Sequence, residues 1–319
     1  MRFPRFPSLF KRSKRNAGLA SIVVRRDGVY VVRLQRTPAL LQVALCEFFP
    51  LHQVTAMALE RLVKEQRLGG SRFTTLLAPD EYQILMVEAP DVPEDEMKMA
   101  IRYQIKDSLN YPVDEVMVDA VRIPGGRNAA ARPHIYAVAA ANDVLQKHVS
   151  LFEDAGLELV AIDIPEMAQR NLAALYETPG QALVLLVFDD TGGLLTFTCD
   201  GELYLSRRLE ISAGQLQDAD EQYRQQNQDR VELEVQRSLD YFEQQFHQLA
   251  VNRVLVAAPS VADEALVRQL SVSLDFPVAT LDLAAGIDIS LVPGLRDGGS
   301  LTAALLPIGA ALREEGTAK

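Results

Sequence analysis

Residues Ala182 to Arg208 read ALVLLVFDDTGGLLTFTCDGELYLSRR, and this stretch decides the fold. The unbroken apolar run Leu183 to Phe188 predicts a strand covered on both faces, with Asp189, Asp190, Gly192 and Gly193 forming the turn that follows. Leu194 to Cys199 and Glu202 to Leu209 supply two more strands, joined through Asp200-Gly201 by a two-residue hairpin loop. A shorter version stands near the N-terminus, where Leu19 to Val24 leads through Arg25-Arg26-Asp27-Gly28 into Val29 to Leu34. Two such openings imply two similar lobes. Whether the turn of each lobe holds a phosphate is then the functional question.

Working outward, 319 residues are enough for about two domains with real cores. The composition, 48% apolar and 24% charged, is that of a soluble globular protein. The net charge is −11, yet the first fifteen residues hold six basic groups and no acid, so the body is more acidic still. That balance argues against nucleic acid as a partner. Only Cys46 and Cys199 are present, and His52, His134, His148 and His247 are scattered, so neither a disulfide framework nor a metal centre is expected. Nothing approaches the roughly 20 apolar residues of a membrane-spanning helix. The longest weakly polar stretch, Leu301 to Leu312, is short and carries Pro307. The N-terminus lacks the apolar core of a signal peptide, so a cytoplasmic location is expected.

Residues 1–16, MRFPRFPSLFKRSKRN, combine Phe3, Phe6, Leu9 and Phe10 with the six basic groups. Such a tail is either disordered or lies on an anionic membrane, each basic residue adding about 1 kcal/mol there. Residues 17–80 supply the first part of the first lobe, including a helix at Val54 to Glu65 and a strand at Phe73 to Leu77. Residues 81–158 form a separate small α+β unit: strands at Tyr82 to Glu88, Val116 to Ile123 and His134 to Ala140, and an acidic-starting helix with Met97, Ile101, Ile105 and Leu109 on one face. Gly125 to Pro133 is a loop, and Asn142 is placed to cap the unit's last helix. Residues 159–181 return to the first lobe. Residues 182–313 make the second lobe, with a long amphipathic helix at Val231 to Leu249, preceded by a solvated polar segment, Gln222 to Arg230. Residues 314–319 are a tail.

The segment Val87 to Asp119, VEAPDVPEDEMKMAIRYQIKDSLNYPVDEVMVD, resembles the small inserted domain of the PilM/MshI proteins of type IV pilus assembly, relatives of the cell-division protein FtsA. Glu234 to Asp240 on the long helix and Gly309-Ala310-Ala311-Leu312-Arg313 are also similar to that family. The resemblance implies an actin-like (ASKHA) two-lobed α/β fold with a small inserted α+β domain. It implies a scaffold of the pilus platform of the mannose-sensitive haemagglutinin (MSHA) kind, peripheral to the inner membrane. Its implied partners are a PilN-like membrane protein and a pilus assembly ATPase. Tyr103, Asn110 and Tyr111 either line the groove for the PilN-like tail or serve ordinary packing and helix termination. A cytoplasmic GspL-like component of type II secretion has a related fold and is an alternative.

ATP-binding relatives cradle phosphates with small residues at the turn of each lobe and pass a Gly-Gly turn under the adenine. This chain departs at all three places. Ala20 to Val24 reads ASIVV where the first phosphate loop is expected, Asp189, Asp190 and Thr191 stand at the second, and Ala257-Ala258-Pro259 at the third. Carboxylates beside a polyanion cost energy unless Mg²⁺ intervenes, and Pro259 lacks a backbone donor. Adjacent residues Asp189 and Asp190 are therefore read as turn chemistry, not as an acid/base pair. Glu234, Arg237 and Ser238, whose counterparts contact a ribose in active relatives, are read as a helix-face ion pair. No catalytic residue, cofactor or metal is expected, with ATP and magnesium as the alternative, which would make the chain a switch or weak ATPase. No hydrolase or P-loop motif is present.

Overall fold

A computed structural model of the chain describes residues 19–37, 40–125, 133–258, 260–296 and 298–313. The N-terminal tail, residues 126–132 of the predicted loop, Pro259 and the C-terminal tail lie outside the described residues. In chain order come β1 (Leu19–Arg25), β2 (Gly28–Thr37), β3 (Leu40–Pro50), α1 (Ala56–Glu65) and β4 (Arg72–Leu76). Then follow β5 (Tyr82–Glu88), α2 (Glu94–Gln104), β6 (Val116–Arg122), β7 (His134–Ala141), α3 (Asn142–Asp154), β8 (Glu158–Asp163) and α4 (Pro165–Ala173). The second half has β9 (Ala182–Asp189), β10 (Gly192–Cys199), β11 (Glu202–Leu209), α5 (Ala213–Leu216), α6 (Glu221–Gln245), β12 (Val251–Ala257), α7 (Ser260–Ser273), β13 (Val278–Thr280) and α8 (Gly298–Ala311).

Two sheets repeat one plan. The first has the order β3-β2-β1-β4-β8 and the second β11-β10-β9-β12-β13. In each, the opening three strands are antiparallel and the last two pairings are parallel. β9 shows why the apolar run is continuous. Ala182, Val184, Leu186 and Phe188 face one core, while Leu183, Leu185 and Val187 face another, so the two-residue period of a strand divides one run between two interiors. Each such side chain contributes on the order of 2 kcal/mol by leaving water. On the long helix, Val231, Val235, Leu239 and Phe242 are buried as their spacing predicts, and the Phe242 ring stacks on Phe197 at 4.7 Å.

The helices that close the two halves are exchanged. α4 leaves the first sheet and packs on β9, β10 and β11, whereas α8 leaves the second sheet and packs on β1, β2 and β4. They touch at Gly309, where an added Cβ would stand 2.1 Å from the Ala168 carbonyl oxygen, so glycine is required by contact between the backbones. Ser21 Oγ donates to the Pro307 carbonyl (2.7 Å) and Thr74 Oγ1 to the Ala310 carbonyl (2.9 Å), pinning α8 to the first lobe.

The insert is a sheet of order β5-β7-β6. α2 covers one face, burying Ile101 and Ile105 against Val116, Val118, Ile135 and Ala137. Tyr82, Tyr136 and Ala140 belong instead to a core shared with the second lobe. α3 turns back to the first lobe, where Phe152 meets Phe73 with ring centres 6.4 Å apart.

Four local expectations are corrected. α3 is preceded by Ala141 without a side-chain cap, and Asn142 is its first residue. Gln222 to Arg230 belongs to α6, started by Asp220 accepting from Gln222 N and Tyr223 N, and Asn227 and Gln228 are buried. Pro307 lies within α8 and does not end it. α2 stops at Gln104, so Leu109 is reached through a short 3-10 turn at Lys106–Ser108.

Candidate functional site

The two opening hairpins meet across a cleft of about 550 Å³. The β1–β2 hairpin pairs Arg25 with Gly28, leaving Arg26-Asp27 as its loop, and the β9–β10 hairpin pairs Asp189 with Gly192, leaving Asp190-Thr191. Gly192 has φ +142, and a Cβ there would approach the Leu209 carbonyl oxygen to 2.6 Å, which fixes glycine at this turn. Beneath the turns, Val23, Leu76, Leu77, Val187, Leu194 and Leu306 make the wall apolar. Charge is confined to the rim: Arg25, Arg26 and Arg208 against Asp27, Asp80, Asp189 and Asp190.

The second-lobe turn occupies its own donors. Asp189 accepts from the Thr191 backbone N–H (2.7 Å) and from Thr191 Oγ1 (2.6 Å) through a single carboxylate oxygen. An amide that a phosphate would need is thereby committed locally. Asp190 points into solvent and faces Arg25 of the other lobe at 3.9 Å, an exposed ion pair that contributes at most about 1 kcal/mol. Four carboxylates against three guanidinium groups leave no surplus of positive charge for a triphosphate. Among the described residues, no group of three or more His, Cys, Asp or Glu side chains is placed to hold a metal ion.

Beside the cleft, the rim residue Arg208 closes a ring with the buried Tyr82 and Glu166 that the sequence does not announce. Tyr82 Oη donates to Glu166 Oε2 (2.5 Å), Arg208 Nε donates to Glu166 Oε1 (3.1 Å), and an Arg208 terminal N–H donates to Tyr82 Oη (2.5 Å). Glu166 is wholly buried. Burial, and next the Glu166 carboxylate, push the Tyr82 hydroxyl well above its ordinary range. Burial works against the Arg208 charge, but Glu166 and Tyr82 outweigh it and raise its pKa. One loop away, Glu81 accepts from the Ala78 N–H (2.8 Å) and faces His148 Nε2 at 3.1 Å.

Of the residues singled out from sequence, Asp189, Asp190 and Thr191 line the cleft. Ala20 does not: it is fully buried at the start of β1, opposite Arg33. The first-lobe turn falls further along, at Arg25 to Gly28, because Val23 and Val24 continue the pairing with Tyr30 and Val29. Glu234 and Arg237 form an (i, i+3) ion pair of 2.9 Å, and Ser238 Oγ donates to the Glu234 carbonyl (2.6 Å). Neither they nor the buried Ala258 line the cleft, and Pro259 lies outside the described residues. On the insert, Tyr103 is 62% and Tyr111 39% exposed, and the Asn110 N–H donates to Gln83 Oε1 (2.9 Å) on β5. Arg25, Arg26, Asp27 and Arg208 were missed as site residues. The register between the two openings could have found the first three, since both turns follow the first strand of a repeated plan.

Two lobes of one strand order, exchanged closing helices and a cleft between the opening hairpins define an actin-like fold. Among solved structures, the chain is similar to the PilM-PilN type IV pilus biogenesis complex, with TM-score 0.70 and 14% identity over 94% of this chain and 99% of that one. It also aligns with a Bacteroides thetaiotaomicron protein of actin-like ATPase fold (TM-score 0.48, 9% identity, 86% and 94% covered). A third alignment is to the cytoplasmic domain of EpsL, an inner membrane component of the type II secretion system of Vibrio cholerae (TM-score 0.45, 11% identity, 81% and 96% covered). The family model of the type IV pilus assembly protein PilM matches residues 59–188. No curated protein matches the chain.

Proposed function

We propose that this protein is a scaffold of type IV pilus assembly, of the MSHA kind, which holds the cytoplasmic tail of an inner-membrane PilN-like protein and works without nucleotide. The observation that carries the proposal is the position of Tyr103 and Tyr111: both are exposed aromatic side chains on the insert, inside the span that matches the PilM family. One solved structure similar in fold is a PilM-PilN complex, which supports a tail of the same class as the ligand. β5 is an edge strand of the insert, and beside its end Glu88, Ala89, Pro90, Gln104 and Pro133 bound a groove of about 360 Å³. An extended peptide gains backbone hydrogen bonds from such an edge and specificity from neighbouring aromatic side chains.

Among the described residues no helix is long and apolar enough to cross a membrane, which suits a protein that reaches the inner membrane through its partner. Fluorescence anisotropy with the labelled cytoplasmic tail of the organism's PilN-like protein tests the proposal. Tyr103→Ser and Tyr111→Ser are expected to weaken binding about tenfold each, and unchanged affinity in both would overturn the groove assignment.

A switch or weak ATPase is the second reading, favoured by the persistence of a cleft as large as 550 Å³. The commitment of the Thr191 amide to Asp189 weighs against it.

A further inference from the structure

We infer that the ring of Tyr82, Glu166 and Arg208 is a latch that couples the position of the insert to the width of the cleft between the lobes. This goes beyond partner binding, and it concerns the protein alone. The three residues sit on three elements and join two bodies: Tyr82 begins β5 of the insert, while Glu166, in the first turn of α4, and Arg208, on β11, belong to the second lobe, on which α4 packs. Each adjoins or belongs to the cleft wall. The loop Ala78 to Asp80 leads into Tyr82, Pro165 precedes Glu166, and Arg208 itself lines the cleft. Arg208 is paired across the strands with Leu194, beside the Gly192-Gly193 end of the second-lobe turn. A shift of the insert therefore pulls on β11, the neighbour of the strand that leaves that turn.

The chemistry makes the latch two-state. Its three hydrogen bonds form a closed ring around a carboxylate with no exposure to water. Opening the ring part way leaves that carboxylate short of partners in a poorly solvated place, so partial opening is disfavoured relative to intact or fully opened forms. The guanidinium of Arg208 also lies 5.7 Å from the centre of the Tyr82 ring, which adds a cation–π contact to the same joint. Beside it, the Ser206 N–H donates to Tyr136 Oη (3.0 Å), and Tyr241 Oη approaches Met86 Sδ at 3.8 Å, so β7 and β5 of the insert meet β11 and α6 along one seam. In this proposal the close backbone contact of α4 with α8 at Gly309 serves as the pivot.

Hydrogen–deuterium exchange on the full chain, comparing wild type with Tyr82→Phe and Glu166→Gln, tests the latch. Exchange is expected to accelerate about fivefold or more in β5 and in both cleft turns, residues 25–28 and 189–193, with α1 unchanged. Unchanged cleft turns would overturn the coupling. So would equal acceleration in α1, because that result describes general loosening and not a joint. Tyr82→Phe keeps the shape of the ring and supplies the result should Glu166→Gln fail to fold.

Discussion

The two lobes carry the same hairpin at the same place in the same strand order, yet the turn of one is Arg25-Arg26-Asp27-Gly28 and the turn of the other is Asp189-Asp190-Thr191-Gly192. A phosphate cleft asks both turns to offer backbone donors to one shared anion. Here one turn is cationic, the other anionic, and they face each other through Arg25 and Asp190. The duplication is kept where the backbone ladder and the cores depend on it. It is absent from the residues of the two turns that line the cleft.

The largest effect expected from disturbing that pairing lies at the contact between the exchanged helices. Gly309→Val drives a side chain into the Ala168 carbonyl, and urea unfolding should show a loss of about 4 kcal/mol, while Gly294→Ala, with open space around it, should stay within about 0.5. Next is Gln169 on α4, whose Nε2 donates to Leu185 O and Leu194 O of the second lobe, with Thr196 Oγ1 also 3.0 Å away. Gln169→Leu leaves those acceptors without that donor, at an expected cost of about 2 kcal/mol in the same assay.

A pH-dependent difference is expected at the root of the insert, where Glu81 faces His148 of α3. Burial alone would raise the pKa of Glu81, but hydrogen bonds from His148 and the Ala78 N–H outweigh it and hold the carboxyl below its ordinary 4.5. The stability so gained is present above that pH and is lost as pH falls through the lowered value. Melting curves of wild type and Glu81→Gln should therefore converge in acid; a constant gap would contradict the assignment. The smallest effect belongs to Asp190→Asn, which removes the exposed interlobe pair and should change stability by no more than about 0.5 kcal/mol in a thermal melt.

Legibility followed the kind of burial. β9, β11 and the apolar stripe of α6 were readable because their side chains divide by strand or helix period. α4 and α8 were not, and the reason is visible in α4: Pro165, Glu166, Met167, Ala168, Gln169, Leu172 and Ala173 are all buried, so no polar face marks a helical period. The start of α6 was hidden for the opposite reason, since its buried Asn227 and Gln228 are polar. At the site, the second-lobe turn was found directly, whereas Ala20 was placed one strand segment too early. The ring of Tyr82, Glu166 and Arg208 joins residues 84, 42 and 126 positions apart, a separation over which sequence offers no local signal.

Isothermal titration of the full chain with Mg-ATP reaches the central claim most directly. With the Thr191 amide taken by Asp189 and four carboxylates on the rim, no saturable heat is expected up to about 1 mM nucleotide. Saturable binding at micromolar ATP would contradict the account and restore the cleft as a nucleotide site.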